Sequence, residues 1–132
     1  YSEDFSASVR LAAVTERAWT DELVYLYRTD NMSSYTKNVS RKSVVSYLRA
    51  SNEVLRFFHM RGHLPLSLEI GMLNVYRASH DAGISLAETD TLVPYIPEHF
   101  TAILLRILLR SRGIIYAFGD ILYRAVRMLV AR

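Results

Sequence analysis

Between Ile103 and Leu122, apolar side chains fall on nearly every side of any helix that carries them. They are Ile103, Leu104, Leu105, Ile107, Leu108, Leu109, Ile114, Ile115, Tyr116, Phe118, Ile121 and Leu122. A helix that is apolar on most sides must be buried on most sides. A chain of 132 residues is long enough to build a sizeable core, yet it holds too few other elements to wrap such a segment completely. The segment therefore predicts an obligate oligomer, with Leu105, Leu108, Ile115, Phe118 and Leu122 as candidate subunit-interface residues. A helix lying in a membrane surface is the rival reading. No uncharged stretch approaches the roughly 18–20 apolar residues of a span, so no membrane crossing is expected. Gly113 and Gly119 are the two places where residues 97–132 can divide into two helices; otherwise they form one.

The rest of the chain reads as all-α, with four to five helices. A first helix is expected from about Ser6 to Arg28, where Val9, Ala12, Ala13, Trp19, Leu23 and Leu26 recur at helical intervals. Polar residues 29–34 break it and offer caps for a second helix, which runs to about Arg61 and stops at Gly62. Pro65 suits the first turn of a third helix ending near Gly83. Residues 84–96 read as a long loop. The expected organisation is an extended helical arm, residues 1–63, followed by a C-terminal helical bundle, residues 64–132, the two forming one cooperative unit.

Charge lies in blocks. Residues 1–30 carry a net −3, residues 31–63 a net +5, residues 64–100 a net −4 and residues 101–132 a net +5. Such alternation fits complementarity between neighbouring helices of one chain. It equally fits two basic surfaces for an anionic partner, with acidic segments meeting basic ones on adjacent subunits. Arginine outnumbers lysine fourteen to two, Cys and Gln are absent, and four Asn remain. The scarcity of thermolabile side chains fits a thermophilic source, and a GC-rich genome accounts equally for the arginine excess. Without cysteine, disulfides and thiolate metal sites are excluded. The first residue is Tyr1, not Met, and no signal-peptide pattern follows, so processing of a longer precursor is expected.

On the second helix Lys42, Arg49 and Arg56 are spaced by seven and share an arc of about 40°. Asn38 joins that arc, and Arg41 and Asn52 flank it. Val39, Val44, Tyr47, Leu48, Val54, Leu55, Phe57 and Phe58 mostly cover the other side. Successive cations in this row would rise by ~10.5 Å, a spacing able to follow a phosphate backbone, and the arginine fork suits phosphate. Lys37, Arg41, Lys42, Arg49, Asn52 and Arg56 are the candidate nucleic-acid contacts. Ser40, Ser43 and Ser46 are short enough to admit a backbone, and Tyr35 and Tyr47 can add hydroxyl contacts. The alternative is an ordinary solvated helix face.

Enzyme motifs are missing. There is no phosphate-binding loop, dinucleotide fingerprint or nucleophile elbow. His59 and His63 have the spacing of a helical metal pair but are separated by Gly62 and lack a third ligand. Ser79, His80 and Asp81 are contiguous, whereas a catalytic triad needs groups converging from separate positions. Asn31 and Asn38 begin glycosylation sequons, a short pattern with many chance matches. A helix-turn-helix around residues 67–83 fits poorly with a long loop after it. No enzyme activity, cofactor or metal is expected.

In architecture over its whole length, the chain resembles the α-helical major coat proteins of filamentous archaeal viruses. The resemblance implies a virion subunit whose helical arm wraps double-stranded DNA held in an A-like form and whose bundle packs a helical filament. It also implies a homo-oligomer or pairing with a second, related coat subunit. The acidic first helix departs from that pattern, leaving the second to contact phosphate and the first to face a partner protein. A non-viral, cytoplasmic helical DNA-binding regulator and a pure protein–protein scaffold remain as alternatives.

Overall fold

A computed structural model describes residues 40–62 and 64–130, all of whose regular structure is helical. The first expected helix, residue 37 and the sequon asparagines lie outside the described residues. Six helical segments follow one another: α1 (Arg41–Met60), α2 (Leu66–Met72), α3 (Asn74–Asp81), α4 (Leu86–Leu92), α5 (Phe100–Arg110) and α6 (Ile114–Val130). Only Leu73 separates α2 from α3, so these two pack nearly as one bent helix.

Local chemistry sets the boundaries. Ser40 caps α1, its hydroxyl accepting from the Ser43 amide at 3.2 Å. The helix ends at Gly62, whose φ of 68° is a left-handed conformation that a Cβ would strain. Helix α3 closes in a Schellman motif. The Ile84 amide donates to the Ser79 carbonyl at 2.8 Å and the Gly83 amide to His80 at 3.1 Å. Gly83 supplies the positive φ, and Ile84 is buried behind the turn.

Two sequence expectations change, and one left open is decided. Residues 84–96 are not one long loop, because Ser85-Leu86-Ala87-Glu88 opens α4. The Ser85 hydroxyl accepts from the Glu88 amide at 3.2 Å, half of a capping box. Of the two arrangements left open after residue 97, the structure has the two-helix one, α5 and α6 parted at Ser111–Gly113 with Gly113 at φ 65°. Pro65 stands one residue before α2, as its N-cap, not inside the first turn.

One core serves both halves of the sequence. Val44, Leu48, Val54 and Leu55 of α1 belong to the same buried cluster as Ile70, Leu73, Val75, Tyr76, Leu105, Leu109 and Tyr123. Helix α1 packs on α3 and α4, while α6 packs on α5 and α2. Residues 41–60 are thus seated in the bundle and do not project from it. Gly119 lets α6 approach α5 closely. A Cβ built there would stand 2.7 Å from Leu108 Cβ, nearer than real carbon contacts come.

Buried polar links fasten the C-terminal helices. Glu69 of α2 is fully buried and receives the Tyr95 hydroxyl, the backbone amides of Glu98 and His99, and the His99 ring at 2.7 Å. Burial pushes the Glu69 carboxyl up, but these hydrogen bonds outweigh it and hold the group below its usual range. Burial, then the bond to Glu69, pushes the Tyr95 phenol far above its usual value, which keeps it a donor. On the opposite flank, Asp120 of α6 accepts from Arg77 of α3 and from Arg124 one turn on. Burial raises the Asp120 carboxyl and the two arginines lower it by more.

Candidate nucleic-acid interface

The local sequence of α1 fixes what it shows to solvent. Its buried residues are Val44, Leu48, Ala50, Ser51, Val54 and Leu55. Their spacing leaves Arg41, Lys42, Arg49 and Arg56 exposed on the other side, with Asn52 half-buried at the margin. Lys42, Arg49 and Arg56 thus stand in one outward row, two helical turns apart. Lys42 and Arg49 have no ion-pair partner among the described residues. Arg56 lies 3.8 Å from Glu53, and both are well exposed, so that pair constrains the arginine little. Arg41 is drawn aside to Glu88 of α4 and is the least available of the four. Tyr47 is half-buried and accepts from Asn74, so it packs against α3 and does not join the row.

The arginines of α5 are arranged differently. Arg106 donates to the Tyr76 hydroxyl at 2.8 Å, Arg110 donates to Asp90 at 2.7 Å, and Tyr76 also donates to Asp90. Both guanidiniums lie near the Tyr76 ring. This network ties α5 to α3 and α4 and neutralises part of the C-terminal positive block. A pocket of about 270 Å³ beside Arg106 and Arg110 is lined otherwise by Ile96, Pro97, Ile103, Ile107 and Ser111. Sequence reasoning missed Glu69, Asp90 and Tyr76 as organisers. Of the helices they join, α4 is the one the sequence reading takes for loop, although Ser85 and Glu88 carry its capping signal.

The interface candidates divide. Leu105 is 1% exposed and belongs to the chain's own core, which removes it as a surface contact in the folded chain. Leu108 and Leu122 are half-buried, with Leu122 packed against the core. Ile115 and Phe118 remain outward, at 55% and 59% exposure. Around them lie Ile107, Ile114, Ile121, Met128 and Leu129, all strongly exposed. Phe100, Ile103 and Leu104 continue the apolar surface on α5. Ser111 to Gly113 turns the chain so that both helices of this hairpin contribute to the face.

Other sequence candidates resolve into packing. Ser79 is buried with its hydroxyl unpartnered among the described residues, while His80 stacks on the Tyr116 ring with centroids 3.9 Å apart. Asp81 is exposed and 3.6 Å from the His80 ring, but the buried Ser79 hydroxyl bonds to neither, so the three side chains do not converge. His59 is exposed and 3.6 Å from Glu98, and His63 lies outside the described residues. Helices α3 and α4, joined through Gly83, have a helix-turn-helix connection length. The second of them, Leu86–Leu92, carries Glu88 and Asp90 and no base, the wrong charge for a groove-reading helix. No described helix is long and apolar enough to cross a membrane.

No protein-family model, curated protein or solved structure matches the chain.

Proposed function

We propose that the chain is a structural subunit of a nucleoprotein assembly, a coat protein that packages double-stranded DNA in a helical filament. The observation that carries this reading is the division of labour between its two longest described helices. Helix α1 buries its apolar stripe and turns a row of cations outward, whereas α6 turns apolar side chains outward. A surface of the first kind suits a phosphate backbone read without regard to base sequence. A surface of the second kind is larger than a solitary soluble chain ordinarily exposes and suits contact between subunits. The acidic character of α4 supports backbone binding by α1 over base reading by a helix-turn-helix.

Triple replacement of Lys42, Arg49 and Arg56 by Ala tests the reading. Affinity should fall similarly for unrelated DNA sequences. The slope of log affinity against log salt should flatten by about 0.9 for each phosphate of duplex DNA that the variant no longer neutralises. An unchanged slope removes α1 from the interface. If wild-type protein shows no salt-dependent binding but still assembles, the apolar face serves a protein-only scaffold.

A further inference from the structure

On α6, Ile114, Phe118, Ile121, Ala125 and Met128 are separated by four, three, four and three residues. All five are exposed, with Ile114 at 89% and Met128 at 68%. An apolar row repeating every 3.5 residues is the seam by which one helix packs along another. Ala117 and Ala125 keep the surface low on either side of Ile121, making a shallow open groove bordered by Arg124. The seam faces away from the core: the buried residues of α6 are Gly119 and Tyr123. Among the described residues this helix-pairing surface has no partner helix.

Charge narrows the choice of partner. Arg124 stands at a flanking position of the seam, 65% exposed even while bonded to Asp120, and Arg127 is exposed one turn further round. A second α6 laid antiparallel along the first would bring the two Arg124 side chains together. The chain itself contains the complement. Residues 1–30, outside the described residues, carry six acids against three bases. Within them Phe5, Val9, Ala12, Glu16, Trp19, Leu23 and Leu26 are spaced four, three, four, three, four and three. Glu16 interrupts that seam and Glu22 flanks it, where an arginine-bordered partner would be met.

We propose that the outward seam of α6 is the docking site for the chain's own N-terminal segment, residues 5–26, packed along it as a helix with Glu16 and Glu22 towards Arg124. Apolar burial supplies the attraction, and the charges select this segment over a second α6. The proposal does not rest on nucleic-acid binding by α1; it names the N-terminal segment, in place of a second α6, as what covers the α6 face read above as a subunit contact. It holds for nucleic-acid-free protein, whichever copy supplies the segment.

Trp19 is the only tryptophan in the chain and sits mid-seam, so its fluorescence reports the contact directly. In full-length protein without nucleic acid, Trp19 emission should be that of a buried indole. Phe118→Asp with Ile121→Asp should shift it to the red while circular dichroism shows the helices of the bundle retained, because both side chains are already exposed. Arg124→Glu should shift it in the same direction, and adding Glu22→Arg should restore it. A local disturbance of Asp120 would not respond to a change at residue 22. Unchanged Trp19 emission in the double aspartate variant overturns the proposal. So does loss of a dimer in that variant, by sedimentation, with emission unchanged, since a second α6 would then be the occupant.

Discussion

Helices α1 and α6 are close in length, 20 and 17 residues, and both are amphipathic, but they are amphipathic in opposite senses relative to the molecule. Helix α1 spends its apolar side on the core and leaves cations outside. Helix α6 buries Gly119 and Tyr123 and leaves its broadest apolar stripe outside. The same pattern of side chains therefore does two jobs. In α1 it builds the fold, and in α6 it awaits something beyond the described residues. Amphipathicity in a sequence states that a helix has two faces, and the surrounding elements decide which face is covered.

The largest effect should separate the two helices by stability alone. Leu48→Ala removes a fully buried side chain of α1 and should cost about 2–5 kcal/mol in urea unfolding. Phe118→Ala on α6, made in the Arg124→Glu chain so that residues 5–26 do not cover the seam, removes a side chain that the bundle leaves 59% exposed and should stay within about 0.5 kcal/mol of its parent. Comparable losses at the two positions would erase the distinction between a core face and a contact face.

Next in size is the response to acid. Glu69 and Asp120 have folded-state carboxyls held below their ordinary values of 4.5 and 3.8. Their contributions are present above those values and are lost as pH falls through the lower folded ones. Both groups secure the α5–α6 side, whereas the buried residues of α1 include no titratable group. Hydrogen exchange below about pH 4 should therefore loosen α5 and α6 before α1. Glu69→Ala strands the donors it now satisfies and should cost on the order of 3 kcal/mol near neutral pH, with a flatter acid limb. A variant with the wild-type acid profile would show that the carboxylate does not secure α5.

Smallest is the effect of a single methyl group. Gly119→Ala places a Cβ 2.7 Å from Leu108 Cβ, so α6 must shift outward from α5. The gain in helix propensity of about 1 kcal/mol opposes a packing cost of about 1–3 kcal/mol. A net loss near 1 kcal/mol in thermal unfolding is expected, together with increased exchange confined to the hairpin. Stabilisation would mean that the two helices are not held at their present spacing.

Much of this was legible in the sequence where it depends on neighbours along the chain. The cation row of α1, its buried stripe, the stop at Gly62 and the apolar excess after residue 103 all follow from helical spacing. Other features depend on contacts between distant residues and leave no local trace. Nothing in Leu66–Met72 reveals that Glu69 will receive donors 26–30 residues away. Leu105 and Ile115 are equally apolar, yet one is core and the other is surface, because each helix of the hairpin turns only one side of its apolar surface inward. Excess apolarity disclosed that part of the segment would be uncovered, but choosing which part required the hairpin. The short α4 was hidden by the two prolines that follow it, Pro94 and Pro97, although its Ser85 and Glu88 capping residues carried the signal.

The Glu69 carboxylate has a consequence in time as well as in space. The amides of Glu98 and His99 lie in a connection before α5, where exchange with solvent would ordinarily be fast. Held by a side chain of α2 that no water reaches, they can exchange only when α2 and the connection part. Their protection should match that of core helix amides, making two loop residues the timekeepers of the bundle's opening.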